Sequence, residues 1–175
     1  SVRFDPVVFW REGAARRSNL EAFGRVAEAA AAAGTVDLRM SFAQWYGKAA
    51  RRMRARGLEV VDLAESEKID LASRLAEAAG RLGLRLWSCS QNVLTRAPGL
   101  LASACIDGRL LAGLHPRGAA APTTKDRTQR AECGCTVSVD IGSYAQACPH
   151  ACLYCYANPR TAPAGERMDV SDPEV

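Results

Sequence analysis

Three cysteines crowd into one short stretch near the end of the chain. The stretch reads CPHACLYC and gives Cys148, Cys152 and Cys155 the spacing C-x3-C-x2-C. A loop this short can turn all three sulfurs towards one centre. Two centres suit such thiols: a tetrahedral zinc with a fourth ligand from His150, Cys135 or elsewhere, and a cubane iron–sulfur cluster. Three thiolates would leave one iron of a [4Fe–4S] cluster open to a small molecule.

The spacing, with Tyr154 just before the last cysteine, resembles the signature of the radical S-adenosylmethionine (SAM) enzymes. That resemblance implies a [4Fe–4S] cluster on the three thiols, SAM bound at the open iron, and an electron donor as a partner. Reductive cleavage of SAM would then give a 5′-deoxyadenosyl radical that abstracts hydrogen from a substrate. By the same analogy, Tyr154 lines the adenine side of SAM. The alternative is a zinc-binding module that recognises nucleic acid or protein.

The other four cysteines are numerous enough for a second iron–sulfur or zinc site. They are Cys89, Cys105, Cys133 and Cys135. A lone cysteine is, however, more often an inert buried side chain than a metal ligand. If residues 136–141 form a strand, Cys135 lies about 20 Å from its far end, at ~3.3 Å per residue. That distance separates Cys135 from Cys89 unless the neighbouring strand is antiparallel or residues 133–135 form a loop.

Length and composition indicate a single domain and give no sign of a membrane protein. The 175 residues, 48% of them hydrophobic, suit a single domain over residues 1–175. The sequence shows neither a run of about 18 apolar residues nor a signal peptide, so we expect no membrane partner and reduced thiols in the cytoplasm. The formal charge of +4 permits an anionic partner. The absence of an initiator Met predicts a fragment or a processed product.

Periodicity predicts an α/β fold. We expect strands over residues 2–8, 36–42, 84–88 and 136–141, with β/α units in residues 1–90, an irregular segment over 91–132, and a strand plus the cysteine loop in 133–175. Successive β-α-β units predict parallel strands, at whose carboxyl ends ligands gather. Cys89 follows one such end directly.

Three local patterns carry further expectations. Ser18 with Glu21, and Asp62 with Glu65, are typical of capped helix starts. Arg3 and Asp5 share one face of the first strand, where they form either an edge salt bridge or two polar groups of a site.

A basic helix is expected over residues 43–56. Lys48, Arg51, Arg52, Arg54 and Arg56 place five positive charges in nine residues, spread around the helix. This distribution favours a solvated face over a contact with a phosphate backbone.

The segment KDRTQRAECGCTVSVDIGSYAQACPHACLYCYAN resembles the closing part of the domain-of-unknown-function family 1848. Ser-Phe at 41–42, Cys-Ser at 89–90, Cys-Ile-Asp at 105–107 and the opening Arg-Phe-Asp-Pro are similar too. This resemblance implies the carboxyl-terminal part of a radical-SAM-like protein related to spore photoproduct lyase. Its implied fold is a partial (β/α) barrel of the radical-SAM type with a cysteine-rich carboxyl-terminal segment. A nucleic-acid lesion is the substrate that this kinship suggests.

Two features depart from the usual radical-SAM pattern. The cysteine motif comes last in the chain instead of first, and no Gly-Gly-Glu motif follows a second strand; residues 164–166 are Ala-Gly-Glu. A full barrel takes around 250 residues. We therefore expect a half barrel that aggregates, dimerises or needs further strands.

Overall fold

A sheet of four parallel strands forms the centre of the molecule. The structure is a computed structural model that describes residues 1–139, 141, 148 and 150–157. The strands lie in the order β1-β4-β6-β7 and pair through Val2 with Leu38, Leu38 with Leu86, and Leu86 with Leu100. The main-sheet strands are β1 (Val2–Val7), β4 (Asp37–Phe42), β6 (Arg85–Cys89) and β7 (Leu100–Ser103).

Helices cover one face of this sheet, and burial alternates along its central strands β4 and β6. In β4, Leu38, Met40 and Phe42 are buried, whereas the residues between them are half-buried and polar. Helix α1 (Phe23–Ala32) and helix α3 (Glu65–Gly80) pack their Ala- and Leu-rich stripes into the same core. Each large side chain buried in this way contributes about 1.5–3 kcal/mol.

A second, antiparallel sheet adjoins the first. Its order is β3-β2-β5, built from β2 (Phe9–Glu12), β3 (Ala15–Ser18) and β5 (Leu58–Val60). Gly13, whose φ is +59°, makes the tight turn between β2 and β3. This sheet was not predicted from the sequence, because its strands are short and carry charged residues. The remaining helices are α2 (Gly47–Arg54) and α4 (Gly108–Leu114).

The expected capping box at Ser18 and Glu21 is wrong. Ser18 ends β3, and a 3₁₀ turn precedes α1. Asn19 instead attaches the start of this turn to the end of β1. Its side chain accepts a hydrogen bond from the Val8 amide at 2.9 Å and donates one to the Pro6 carbonyl at 3.0 Å.

The expected cap at Asp62 and Glu65 is displaced as well. Ala64 occupies the cap position of α3, and the Glu67 carboxylate accepts from the Ala64 amide at 3.1 Å. Asp62 pairs instead with Lys68 at 2.6 Å.

The segment 91–132 is more regular than the sequence indicated. It contains the 3₁₀ turn Asn92–Arg96, strand β7 and helix α4, which Asp107 caps through the amides of Arg109 and Leu110. Among the described residues, no helix is long and apolar enough to cross a membrane.

The strand expected over residues 136–141 is not formed in its described part. Thr136 makes one isolated antiparallel bridge with Lys125. Beyond it, Val137, Val139 and Ile141 are exposed by 47%, 87% and 103%; Asp140 lies outside the described residues. Apart from the bridge at Thr136, these residues pair with no strand in the described part of the chain, so the alternating apolar side chains are not buried.

Gly108 permits a close approach of two segments, which gives a testable prediction. A Cβ at Gly108 would lie 1.7 Å from the Pro122 carbonyl oxygen. The Gly108 amide also donates to Thr136 Oγ1 at 3.0 Å, so the site cannot simply shift. We expect Gly108→Ala to lower the free energy of unfolding by about 1–3 kcal/mol in urea denaturation.

Gly113 in the same helix is the matched control. A Cβ there meets nothing within 4 Å. Gly113→Ala should therefore leave stability unchanged or raise it by up to ~1 kcal/mol. Equal effects of the two substitutions would contradict the packing of Pro122 against α4.

Candidate functional site at the carboxyl end of the parallel sheet

Polar side chains occupy the second face of the parallel sheet. Asp5 on β1 contacts the guanidinium of Arg3 and accepts a hydrogen bond from the Ser41 hydroxyl on β4. Arg3 also donates through Nη1 to the sulfur of Cys105 at 2.8 Å. Arg3 and Asp5 therefore form the salt bridge that was one of the two alternatives predicted from the sequence, and Arg3 also contacts Cys105.

Arg39 connects the middle of this face to the chain beyond β7. Its Nε donates to Ser103 Oγ at 2.9 Å, and its Nη2 donates to the Ala104 carbonyl at 3.4 Å. These contacts fix the segment that leads to Cys105.

Two thiols meet at the ends of neighbouring strands. Cys89 is the last residue of β6 and pairs with Ser103 of β7. Cys105 follows two residues later, and its sulfur lies 3.4 Å from the sulfur of Cys89. Cys89 is half-buried, and Cys105 is exposed. We call these two residues the thiol pair.

The two members of the thiol pair titrate differently. A hydrogen bond from Cys89, aided by the Arg3 guanidinium, lowers the pKa of Cys105 to about 5. The same hydrogen bond, together with burial, raises the pKa of Cys89. The pair therefore shares one negative charge, held mainly on Cys105.

Cys133 and Cys135 are buried side chains of a loop beside the thiol pair. Cys135 accepts a hydrogen bond from the Ile106 amide at 3.3 Å, and burial raises the pKa of Cys135. A Cβ at Gly134 would lie 3.0 Å from the Ser103 carbonyl oxygen, so the loop packs against the end of β7. Because these residues form a loop, the separation calculated from an extended strand does not apply.

Arg52 anchors the cysteine loop, which we define as residues 148–157, with Pro149 outside the described residues. Its guanidinium donates to the carbonyls of Leu153 at 3.2 Å, Ala157 at 3.5 Å and also Cys155. Arg52 is half-buried. The expectation that its charge belongs to a solvated face is therefore wrong for this residue. Arg51, Arg54 and Arg56 are exposed.

The thiols of the cysteine loop are all free and half-buried. They are Cys148, Cys152 and Cys155. The Cys155 amide donates to the Cys152 carbonyl at 3.1 Å, which forms a turn between two of them. Ala151 has a φ of +43°, a backbone conformation that favours glycine. His150 is exposed.

Tyr154 brings the cysteine loop close to β1. Burial, with a hydrogen bond to Cys152, raises the pKa of Tyr154 to about 12, and the negative charge of Asp5 acts in the same direction. Arg52, which anchors the loop, lies in α2, the helix that follows the carboxyl end of β4, so the loop is held on that side of the sheet.

The seven cysteines fall into separate groups. Within the part of the chain that the structure describes, no three His, Cys, Asp or Glu side chains are spaced to hold a metal ion. The structure brings Cys89 to Cys105 and places Cys133 and Cys135 beside that pair. Ligand loops of this kind commonly take their final shape only around the metal.

Sequence reasoning missed the side chains that organise this site. Arg39 gave no signal beyond its place on a predicted strand, Ser103 lay in a segment expected to be irregular, and Arg52 could not be distinguished from its basic neighbours. The signal available for Arg39 was its position between the buried residues of β4, which places it on the face opposite the core.

The shared charge of the thiol pair predicts a pH-independent reactivity. Between about pH 6.5 and pH 7.5, iodoacetamide should alkylate Cys105 in metal-free protein at a nearly constant rate. An ordinary thiol gains about tenfold over the same interval, because its pKa is about 8.5. Cys89→Ala, which removes the hydrogen-bond donor, should restore most of an ordinary pH dependence to Cys105. Arg3→Met should restore part of it, while Arg11→Met, an exposed arginine on β2, should restore none. Peptide mass spectrometry measures the rates; an ordinary profile in the unaltered protein would contradict the charge assignment.

The comparisons with known proteins identify one family. No curated protein and no solved structure is significantly similar to the chain. A family described as a domain of unknown function, DUF1848, matches residues 1–157, which include the parallel sheet, the thiol pair and the cysteine loop. The chain therefore belongs to the DUF1848 family.

Proposed function

We propose that this protein is an iron–sulfur enzyme of the radical-SAM type. Cys148, Cys152 and Cys155 hold a [4Fe–4S] cluster, SAM is the cosubstrate, and hydrogen is abstracted from a substrate still to be identified. The observation that carries the proposal is a loop with three free thiols, held by Arg52 of α2, the helix that follows the carboxyl end of the parallel strand β4.

The donor set fits such a cluster. Three thiolates suit a cubane with one open iron, and the loop has three cysteines within eight residues. Cluster-bound thiolates would add negative charge to the cysteine loop, whose three thiols are half-buried. Arg52 supplies a compensating positive charge to the backbone of the same loop.

The protein's own residues supply anchoring and a polar surface. When bound, a reduced cluster supplies the electron for reductive cleavage of SAM. Arg52 fixes the loop backbone, and the Tyr154 side chain is half-buried and hydrogen-bonded with Cys152. Arg3, Asp5 and Ser41 offer donors and acceptors that can orient a polar substrate beside the loop.

The two faces of the sheet support a partial barrel. In a (β/α) barrel, helices cover the outer face of the parallel strands, and the inner face meets the substrate. Here α1 and α3 pack on the apolar face, and the opposite face carries Arg3, Asp5 and Arg39. We propose that this polar face is the inner one and that further strands complete the barrel.

Removal of one thiol tests the cluster directly. Cys152→Ala should abolish iron binding at the cysteine loop and reductive SAM cleavage, since the loop has no spare thiol. Cys89→Ala should retain the cluster, because Cys89 belongs to the thiol pair. Metal analysis and visible absorption of anaerobically purified protein measure both. Colourless protein with stoichiometric zinc would favour the zinc-binding alternative, and SAM cleavage by Cys152→Ala would overturn the ligand assignment.

The anchoring by Arg52 gives a second prediction. Arg52→Met should release three loop carbonyls from their donor and lower cluster retention several-fold under iron chelation. Arg54→Met, an exposed charge in the same helix, should behave like the unaltered protein. Loss rates of visible absorption in the presence of a chelator give the comparison. Equal rates in both variants would show that the loop does not depend on Arg52.

A further inference from the structure

The proposed cluster leaves Cys89 and Cys105 without a role. We propose that the thiol pair is a thiol–disulfide exchange centre, in which Cys89 and Cys105 form a reversible disulfide with small-molecule disulfides as the oxidising partners. The proposal is independent of the proposed function, because none of its residues is a ligand of the proposed cluster.

The geometry requires little movement. The two sulfurs lie 3.4 Å apart as free thiols and must close to about 2.05 Å in a disulfide. Hydrogen bonds between β6 and β7 hold Cys89 opposite Ser103, and Arg39 binds Ser103 on the same face. The strands thus present Cys105 to Cys89 before any reaction occurs.

The two cysteines have different surroundings and hence different roles. Cys105 is exposed, and Arg3 donates to its sulfur, which favours the thiolate and makes it the entering nucleophile. Cys89 is half-buried at the end of β6 and close enough to resolve an adduct on Cys105.

The reaction balances with one external disulfide. The Cys105 thiolate attacks one sulfur of RSSR, forms a mixed disulfide and expels RS⁻. Cys89 loses its proton to RS⁻ and attacks the Cys105 sulfur, which expels the second RS⁻; solvent protonates it. The disulfide RSSR is reduced to two RSH, and the two cysteines are oxidised by two electrons to one intramolecular disulfide.

Oxidation would change the polar face around Arg3. A disulfide sulfur carries no negative charge, so Arg3 would keep Asp5 as its ionic partner and lose the Cys105 thiolate. Asp5 lies near Tyr154 in the cysteine loop. The redox state of the thiol pair is thereby connected to the loop through charged side chains.

Tryptic mapping tests the proposal in the unaltered chain. Trypsin places Cys89 in peptide 86–96 and Cys105 in peptide 97–109, both separate from the remaining cysteines. Anaerobically purified protein is incubated with excess oxidised glutathione, alkylated in acid and digested. We expect these two peptides as one disulfide-linked species, and its loss when reduced glutathione is added in excess.

Two variants separate the steps. Cys89→Ser should accumulate a glutathione adduct on Cys105, and Cys105→Ser should slow reaction at Cys89 by at least about tenfold. Comparing the two variants distinguishes the entering thiol from the resolving one. Adduct formation at equal rates on both would overturn the assigned roles.

Metal binding by the neighbouring thiols is the competing outcome. If metal bound to the protein protects Cys89, Cys105, Cys133 and Cys135 together from alkylation, the exchange centre is wrong and a four-thiol metal site takes its place. Absence of the linked peptides after oxidation of metal-free protein would also overturn the proposal. Iron at the cysteine loop is measured in the same samples, so failure of the cluster is recorded separately.

Discussion

The alternation of buried and less buried side chains along the central strands β4 and β6 determines which residues of the parallel sheet face the core. Residues such as Leu38 and Met40 point into the helix-covered core, so their neighbours Arg39 and Ser41 must lie on the other face. Burial of Leu38 and Met40 therefore fixes the positions of Arg39 and Ser41. The polar side chains lie on a sheet that the core holds in place, and a few contacts are enough to attach the loops at its carboxyl end.

Charge organises that polar face. The guanidinium of Arg3 joins Asp5 to Cys105, and Arg52 holds the loop that carries Cys152 and Cys155. Arg3 compensates the negative charge of Asp5 and of the thiol pair, whereas the contacts of Arg52 are with main-chain carbonyls. Since thiolates and carboxylates that are partly withdrawn from water need a nearby cation, Arg3 contributes to reactivity as well as to shape.

Three of the four central strands were predictable, whereas β7 and the second sheet were not. Long apolar alternation identified those three, including the one that ends at Cys89, because core burial dictates that pattern. The same alternation gave a wrong prediction at Val137 and Val139, which pair with no strand among the described residues and are both exposed. Membership of the DUF1848 family was foreseen from motifs; the contact of Cys89 with Cys105 depends on strand order, which spacing along the chain does not contain.

The way Arg52 holds its loop bears on how the sequence can diverge. All three of its acceptors are main-chain carbonyls, which every amino acid provides. Positions such as Leu153 and Ala157 can therefore vary without loss of the anchor, whereas the arginine itself has no substitute with the same planar set of donors. Related chains should accordingly keep an arginine in this helix even where the residues it touches have drifted apart.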